Sequence, residues 1–81
     1  MKHILIAEDE PRIADFLVRN LSEHDFSTVI AKNAREAIYL TQNHSFDLLI
    51  LDLGLPDQDG LDILDRLRKQ GEQLPNRLYR K

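Results

Sequence analysis

Four consecutive apolar residues, Leu48-Leu49-Ile50-Leu51, run straight into Asp52-Leu53-Gly54-Leu55-Pro56-Asp57-Gln58-Asp59-Gly60. A strand with one wet face alternates polar and apolar residues, so an unbroken run of this length describes a strand covered on both sides. The segment behind it, dense in Asp, Gly and Pro, is a turn. A strand buried on both faces needs a layer above and a layer below it. In a short chain those layers are helices.

The remaining sequence supplies them. Ile4-Leu5-Ile6-Ala7 is a second short apolar run, closed by Glu8-Asp9-Glu10, and reads as another buried strand. Pro11 suits a first helical turn. Ile13, Phe16, Leu17 and Leu21 then share one face at helical spacing while Arg12, Asp15, Arg19 and Glu23 fall mostly on the other, which predicts an amphipathic helix over 11–23. Phe26 to Ala31, with the β-branched Thr28, Val29 and Ile30, reads as a strand. Asn33 followed by Glu36 resembles a capping box, so a second helix starts there, with Ala34, Ala37, Ile38 and Thr41 as its apolar stripe, and fades near Asn43 or His44. Leu61, Leu64, Leu67 and Arg68 begin a third helix that runs out at Gly71, after Arg66, Arg68 and Lys69. Strand and helix alternating three times predict a parallel sheet with right-handed crossovers.

Composition narrows the function classes. The 81 residues make one small domain, and 42% hydrophobic with 31% charged residues is too apolar for a disordered tail. A net charge of -3 gives no basic surface for nucleic acid or membrane. The absence of cysteine excludes a disulfide framework and any thiolate metal site, and fits a reducing compartment. The apolar stretch at the N-terminus meets acids too soon to be a signal peptide, and no run approaches the 18 or so apolar residues of a membrane span. A cytoplasmic protein is expected, without a membrane partner. His3, His24 and His44 have no metal-like spacing, and capping or solvated roles suit them better. Tyr39 and Phe46 read as packing residues. Arg77, Arg80 and Lys81 lack an aromatic platform, so direct nucleic-acid binding is not expected of them.

Ligands of an open parallel sheet bind outside the carboxyl ends of its strands. Two of the three strands end there in acids: Glu8-Asp9 after the first and Asp52 after the third. On neighbouring strands these side chains converge and repel, and a hard divalent cation relieves the repulsion. Magnesium takes oxygen ligands and commonly binds through one or two carboxylates plus a phosphate oxygen. The pattern therefore suggests Mg²⁺-assisted phosphoryl transfer with one carboxylate as nucleophile. Each half has a plainer explanation. Acids before a helix favour its dipole, and an Asp before Gly and Pro forms turns. Their coincidence on strands that must lie close favours the metal site.

Ile4-Leu5-Ile6-Ala7-Glu8-Asp9-Glu10 and Asp47-Leu48-Leu49-Ile50-Leu51-Asp52-Leu53-Gly54-Leu55-Pro56-Asp57-Gln58-Asp59-Gly60 resemble the two signatures of the receiver domain of bacterial two-component response regulators. The second is especially similar to the transcriptional subfamily in which the receiver precedes a winged-helix domain. The resemblance runs from about residue 2 to residue 74 and implies an α/β, flavodoxin-like (CheY-like) three-layer parallel sheet. That sheet would be incomplete, with three strand-helix units in order 2-1-3. By the resemblance Asp52 matches the phospho-acceptor, Asp9 the direct Mg²⁺ ligand, Glu8 the neighbouring acid that acts through water, and Gly54 the position whose carbonyl completes the ligand set. The implied partner is a sensor histidine kinase whose phosphohistidine supplies the phosphoryl group. The implied role is that of an acceptor, not an enzyme.

The family pattern continues with a fourth strand ending in Ser or Thr and a fifth ending in Lys, and Asn76-Arg77-Leu78-Tyr79-Arg80-Lys81 does not resemble it. The expectation is a C-terminally truncated receiver over 1–75 with a basic tail, 76–81, of no assigned structure. Transfer would be slow and signalling output lost. The third strand would become an exposed edge, through which the chain self-associates, swaps domains or partly unfolds. A second reading is an inert interaction or dimerisation module that docks a kinase or another receiver without being phosphorylated. A haloacid-dehalogenase-like phosphatase would need Asp-x-Asp where this chain has Asp52-Leu53-Gly54, and an EF-hand loop about Gly60 would place Leu55 first and Arg66 last.

Overall fold

The computed structural model describes residues 2–52, 55–57, 62, 65, 66, 68, 69 and 77–80. Its elements are β1 (Lys2–Ala7), α1 (Pro11–Ser22), β2 (Phe26–Ala31), α2 (Ala34–Asn43), β3 (Leu48–Leu51) and β4 (Arg77–Arg80). The strands form one four-stranded sheet in the order β2-β1-β3-β4, and every pairing is parallel. The expected order 2-1-3 is therefore present, with one strand more. Residues 62, 65, 66 and 68 are helical, and the Lys69 N–H donates to the Asp65 carbonyl at 3.2 Å. Leu61, Leu64, Leu67 and Gly71, which carried the expectation of a third helix, lie outside the described residues.

The central strand β1 explains why this sequence settles in this register. Ile4, Leu5, Ile6 and Ala7 are all fully or almost fully buried, so both of its faces are covered, and it lies between β2 and β3. Ile4 pairs with Thr28 and Leu48, and Ala7 with Ala31 and Leu51. At the lower end the His3 N–H donates to Asp47 Oδ2 at 2.8 Å and the Asp47 N–H donates to the His3 carbonyl at 2.7 Å. This reciprocal clasp fixes β3 one residue before its ladder begins.

Right-handed crossovers between parallel strands put α1 and α2 on opposite faces, because β1 to β2 moves one way across the sheet and β2 to β3 moves back. On the α2 side Leu5, Ala7, Ala31, Ala34, Ala37, Leu49, Leu51 and Leu55 form one buried cluster, with Ile38, Leu40 and Phe46 packed against it. Its helix meets the sheet through Ala34, Ala37 and Thr41, all buried. Small side chains allow the close approach. The α2 stripe and the packing role of Phe46 thus stand as expected.

Two aromatic assignments do not. Phe16 is 64% exposed and Tyr39 62% exposed. Along α1 the buried or half-buried positions are Ile13, Ala14, Leu17, Val18 and Leu21. That stripe is centred near Leu17 and Leu21, and Phe16 falls to its side. Reading the largest apolar residue into the stripe shifted its centre. The helix itself agrees with expectation.

The C-terminal segment is also corrected. Arg77–Arg80, expected to have no assigned structure, is β4, with Leu48 opposite Arg77 and Leu51 opposite Arg80. β3 is consequently no edge, and the ground for self-association through it falls away. A strand ladder is made by backbone groups, which a central strand must have satisfied on both sides. Arg-Leu-Tyr-Arg has little β-branched character, so nothing local in it announces the pairing. The outer strands among the described residues are β2 and β4.

Candidate metal centre

The carboxyl ends of β1 and β3 lie side by side because those strands pair directly. Their ladder runs one residue beyond the strands: the Asp52 N–H donates to the Ala7 carbonyl at 2.9 Å. On the far side the Glu8 N–H donates to the Ala31 carbonyl of β2 at 2.9 Å. Two backbone bonds therefore fix where Glu8 and Asp52 leave the sheet. Glu8, Asp9 and Asp52 each offer a carboxylate oxygen, and these oxygens lie within 4.8 Å of one another. Their environments are graded. Glu8 is 3% exposed, Asp52 is half-buried and Asp9 is exposed.

Glu8 is a buried acid, which needs compensation by hydrogen bonds or an opposite charge. One such bond comes from the Glu10 N–H to Glu8 Oε2 at 3.2 Å. Glu10 in turn is the N-cap of α1, its carboxylate accepting from the Arg12 N–H at 3.3 Å. The acidic run thus divides its labour. The helix-dipole explanation holds for Glu10, whereas Glu8 and Asp9 turn toward Asp52.

This donor set fits a hard cation. Two oxygens on opposite sides of one Mg²⁺, each at about 2.1 Å, are roughly 4.2 Å apart, close to the spread of the three carboxylates. An all-oxygen, all-acidic cluster with no imidazole or thiolate suits magnesium better than zinc or copper. Of the four site residues read from the sequence, Glu8, Asp9 and Asp52 are together. Gly54 lies outside the described residues. Beside the carboxylates a hollow of about 330 Å³ is lined by Ala7, Glu8, Ile13, Phe16, Leu17, Ile50 and Asp52. One wall of the site is therefore apolar and open.

One residue that the sequence left as a plain turn former has a definite task. Asp57 reaches back 23 residues to the first turn of α2, its Oδ1 accepting from the Ala34 N–H at 2.8 Å and its Oδ2 from the Arg35 N–H at 3.0 Å. Asn33 caps the same helix locally, its Oδ1 accepting from the Glu36 N–H at 2.8 Å. Glu36 returns a bond to Lys32, not Asn33, so the expected capping box is displaced by one residue. No local signal reveals the Asp57 contact. Only the two chain segments meeting in space creates it.

The open parallel sheet, with helices on both faces and acids gathered at the carboxyl ends of its inner strands, is a CheY-like flavodoxin fold. The response regulator receiver domain model matches residues 4–78. The chain belongs to that family. Among curated relatives it is 39% identical over 79 residues to a probable transcriptional regulatory protein of Picosynechococcus, covering 89% of this chain and 32% of that protein. It is 36% identical over 72 residues to the two-component response regulator PhoP of Pseudomonas aeruginosa, again covering 89% of this chain and 32% of the relative. The chain spans about a third of the length of each. Among solved structures it is similar to the response regulator TrrA of Thermotoga maritima in complex with Mg²⁺ and BeF, with a TM-score of 0.84, 26% identity and coverage of 100% of this chain and 87% of that one. It is likewise similar to a chain of the complex of histidine kinase ThkA with TrrA, at a TM-score of 0.86, 26% identity and coverage of 100% and 86%.

Proposed function

We propose that this chain is a phospho-accepting receiver module, in which Asp52 takes a phosphoryl group from the phosphohistidine of a sensor kinase. Support comes above all from the meeting of Glu8, Asp9 and Asp52 within 4.8 Å at the mouth between β1 and β3. An Asp52 carboxylate oxygen attacks phosphorus as the P–N bond breaks; the bonding pair returns to the donor imidazolium, already protonated on its other ring nitrogen, which leaves as neutral imidazole. The product is an acyl phosphate on Asp52. Half-burial of Asp52 keeps its oxygens accessible while the backbone bond to Ala7 limits their range.

Glu8, Asp9 and Asp52 would hold Mg²⁺, with the Gly54 carbonyl completing the protein ligands. When bound, the ion supplies positive charge against the transferring oxygens. By the family resemblance, Asp9 would bind the ion directly and Glu8 would act through water. A solved complex of a similar response regulator with a histidine kinase supports that class of partner. A relative named as a transcriptional regulatory protein supports a role in transcription control, and the cytoplasm is the compartment this reading requires.

The test is intact-mass spectrometry of the chain after incubation with Mg²⁺ and acetyl phosphate. One phosphoryl adduct should form, and Asp52→Asn should abolish it. Asp9→Asn should slow its formation by at least about tenfold, the lower bound of what even outer-shell partners contribute at metal sites. No adduct on the unmodified chain would overturn the reading in favour of an inert binding module.

A further inference from the structure

We infer that Asp57 is a positioning residue for the carboxylate site, tying the segment after Asp52 to the first turn of α2 and thereby setting the affinity of that site for Mg²⁺. The inference rests on the function proposed above and extends it to a residue outside the ligand set.

Three described residues of the stretch that leaves β3, Asp52, Leu55 and Asp57, are each fastened. The start of that stretch is held by the Asp52 N–H on the Ala7 carbonyl at 2.9 Å. Leu55 is buried in the cluster beneath α2. Its far end is held by the two Asp57 bonds to the Ala34 and Arg35 N–H groups, at 2.8 and 3.0 Å. Those two N–H groups begin a helix and have no carbonyl partner within it, so a carboxylate with two acceptor oxygens matches them in number and in charge. The bond to Asp57 also holds its carboxyl below the usual carboxylate range, the Ala34 N–H contributing most. It stays charged at neutral pH and the fastening persists.

The other polar contacts of the α2 N-terminus are local. Asn33 and Glu36 bond within residues 32–36 and reach no part of the site. Asp57 instead joins the start of the helix by two hydrogen bonds to the chain that follows Asp52. A metal site is sensitive to such fixing because each ligand left loose must be ordered when the ion binds, and that ordering lowers affinity. Asn33 and Asp57 therefore cap the same helix but differ in what else they hold, which makes them a matched pair.

Titration calorimetry with Mg²⁺ on the full 81-residue chain separates the roles. Asp57→Ala should weaken Mg²⁺ binding about tenfold, in line with outer-shell losses at other metal sites. Asp57→Asn, which keeps one acceptor oxygen, should recover part of the loss. Asn33→Ala should leave affinity within about twofold, since it shares no contact with the site. Amide exchange should quicken at Ala34 and Arg35 in Asp57→Ala and at Glu36 in Asn33→Ala, showing that each cap has been removed from a folded chain. Equal Mg²⁺ affinity in the parent and Asp57→Ala overturns this inference alone. Equal losses in Asp57→Ala and Asn33→Ala also overturn it, because a general loosening of α2 would then suffice. An unmodified chain that binds no Mg²⁺ overturns both this inference and the function beneath it.

Discussion

The two faces of the sheet are built differently. Beneath α2 the cluster from Leu5 to Leu55 closes around alanines and leaves its members almost wholly buried. Beneath α1, Ile4 and Ile6 are buried but Leu48 and Ile50 of β3 are only half-buried, and a hollow of about 330 Å³ opens between Ile13, Leu17 and Ile50. The carboxylates sit at the rim of that hollow, where Glu8 and Asp52 form part of its lining. Stability is thus concentrated on one face, and the chemistry opens toward the other.

Leu49 and Ile50 test this directly, because they are adjacent on β3 and point to opposite faces. Leu49 is 2% exposed within the α2 cluster. Leu49→Ala should cost about 3 kcal/mol, within the usual range for a leucine removed from a closed core. Ile50→Ala should cost about 1 kcal/mol, since its side chain is half in water and already borders a hollow. Urea titration followed by circular dichroism reads both. A chain of this size has only a modest reserve, so Leu49→Ala should leave it close to its unfolding midpoint in plain buffer. Equal costs at the two positions would break the contrast.

Much of this was legible in the sequence, for reasons that differ by element. Ile4–Ala7 and Leu48–Leu51 announced themselves because burial on both faces leaves an unbroken apolar run, and their acids are adjacent in sequence to the strands that carry them. The meeting of Glu8, Asp9 and Asp52 followed once β1 and β3 were taken as neighbours. Phe16 was misread because helical periodicity gives the stripe only to within a residue or so when a large side chain lies beside it. β4 was missed because its pairing is decided by the unmet ladder of β3, a property of another segment. The Asp57 bonds were missed for the same reason, with 22 and 23 residues separating the partners. Local order can be read locally; contacts between distant segments cannot.

The helix caps carry the contrast between faces to a smaller scale. α2 begins at Asn33, a favoured N-cap, with a 2.8 Å bond to the Glu36 N–H. α1 begins at Glu10, a longer acid whose bond to the Arg12 N–H is 3.3 Å. Asn33→Ala should cost about 1 kcal/mol and Glu10→Ala a few tenths, since the cost follows how well the side chain meets the first free N–H groups. The same urea titration distinguishes them. A larger loss at Glu10 would mean that α1, despite the hollow beneath it, is the better anchored helix.

The finest probe is the pH dependence of the α2 anchor. The Ala34 N–H lowers the Asp57 carboxyl below its ordinary range, partial desolvation opposes this, and the Arg35 N–H and the Asp57 N–H add to the lowering. A carboxyl whose folded pKa is depressed binds fewer protons than the unfolded chain at intermediate pH, so its contribution is fully present above the unfolded value of about 3.9. It is lost as pH falls through the folded value. The stability difference between the parent chain and Asp57→Ala should therefore be flat above about pH 5 and shrink below about pH 4. Asp57 is open to solvent, so added salt should also narrow the gap. The acid limb that survives in Asp57→Ala belongs to the remaining acids of the chain. A difference that stays constant from neutral pH to pH 3 would show that Asp57 holds α2 as a neutral acceptor, and the charge of the anchor would then have no part in it.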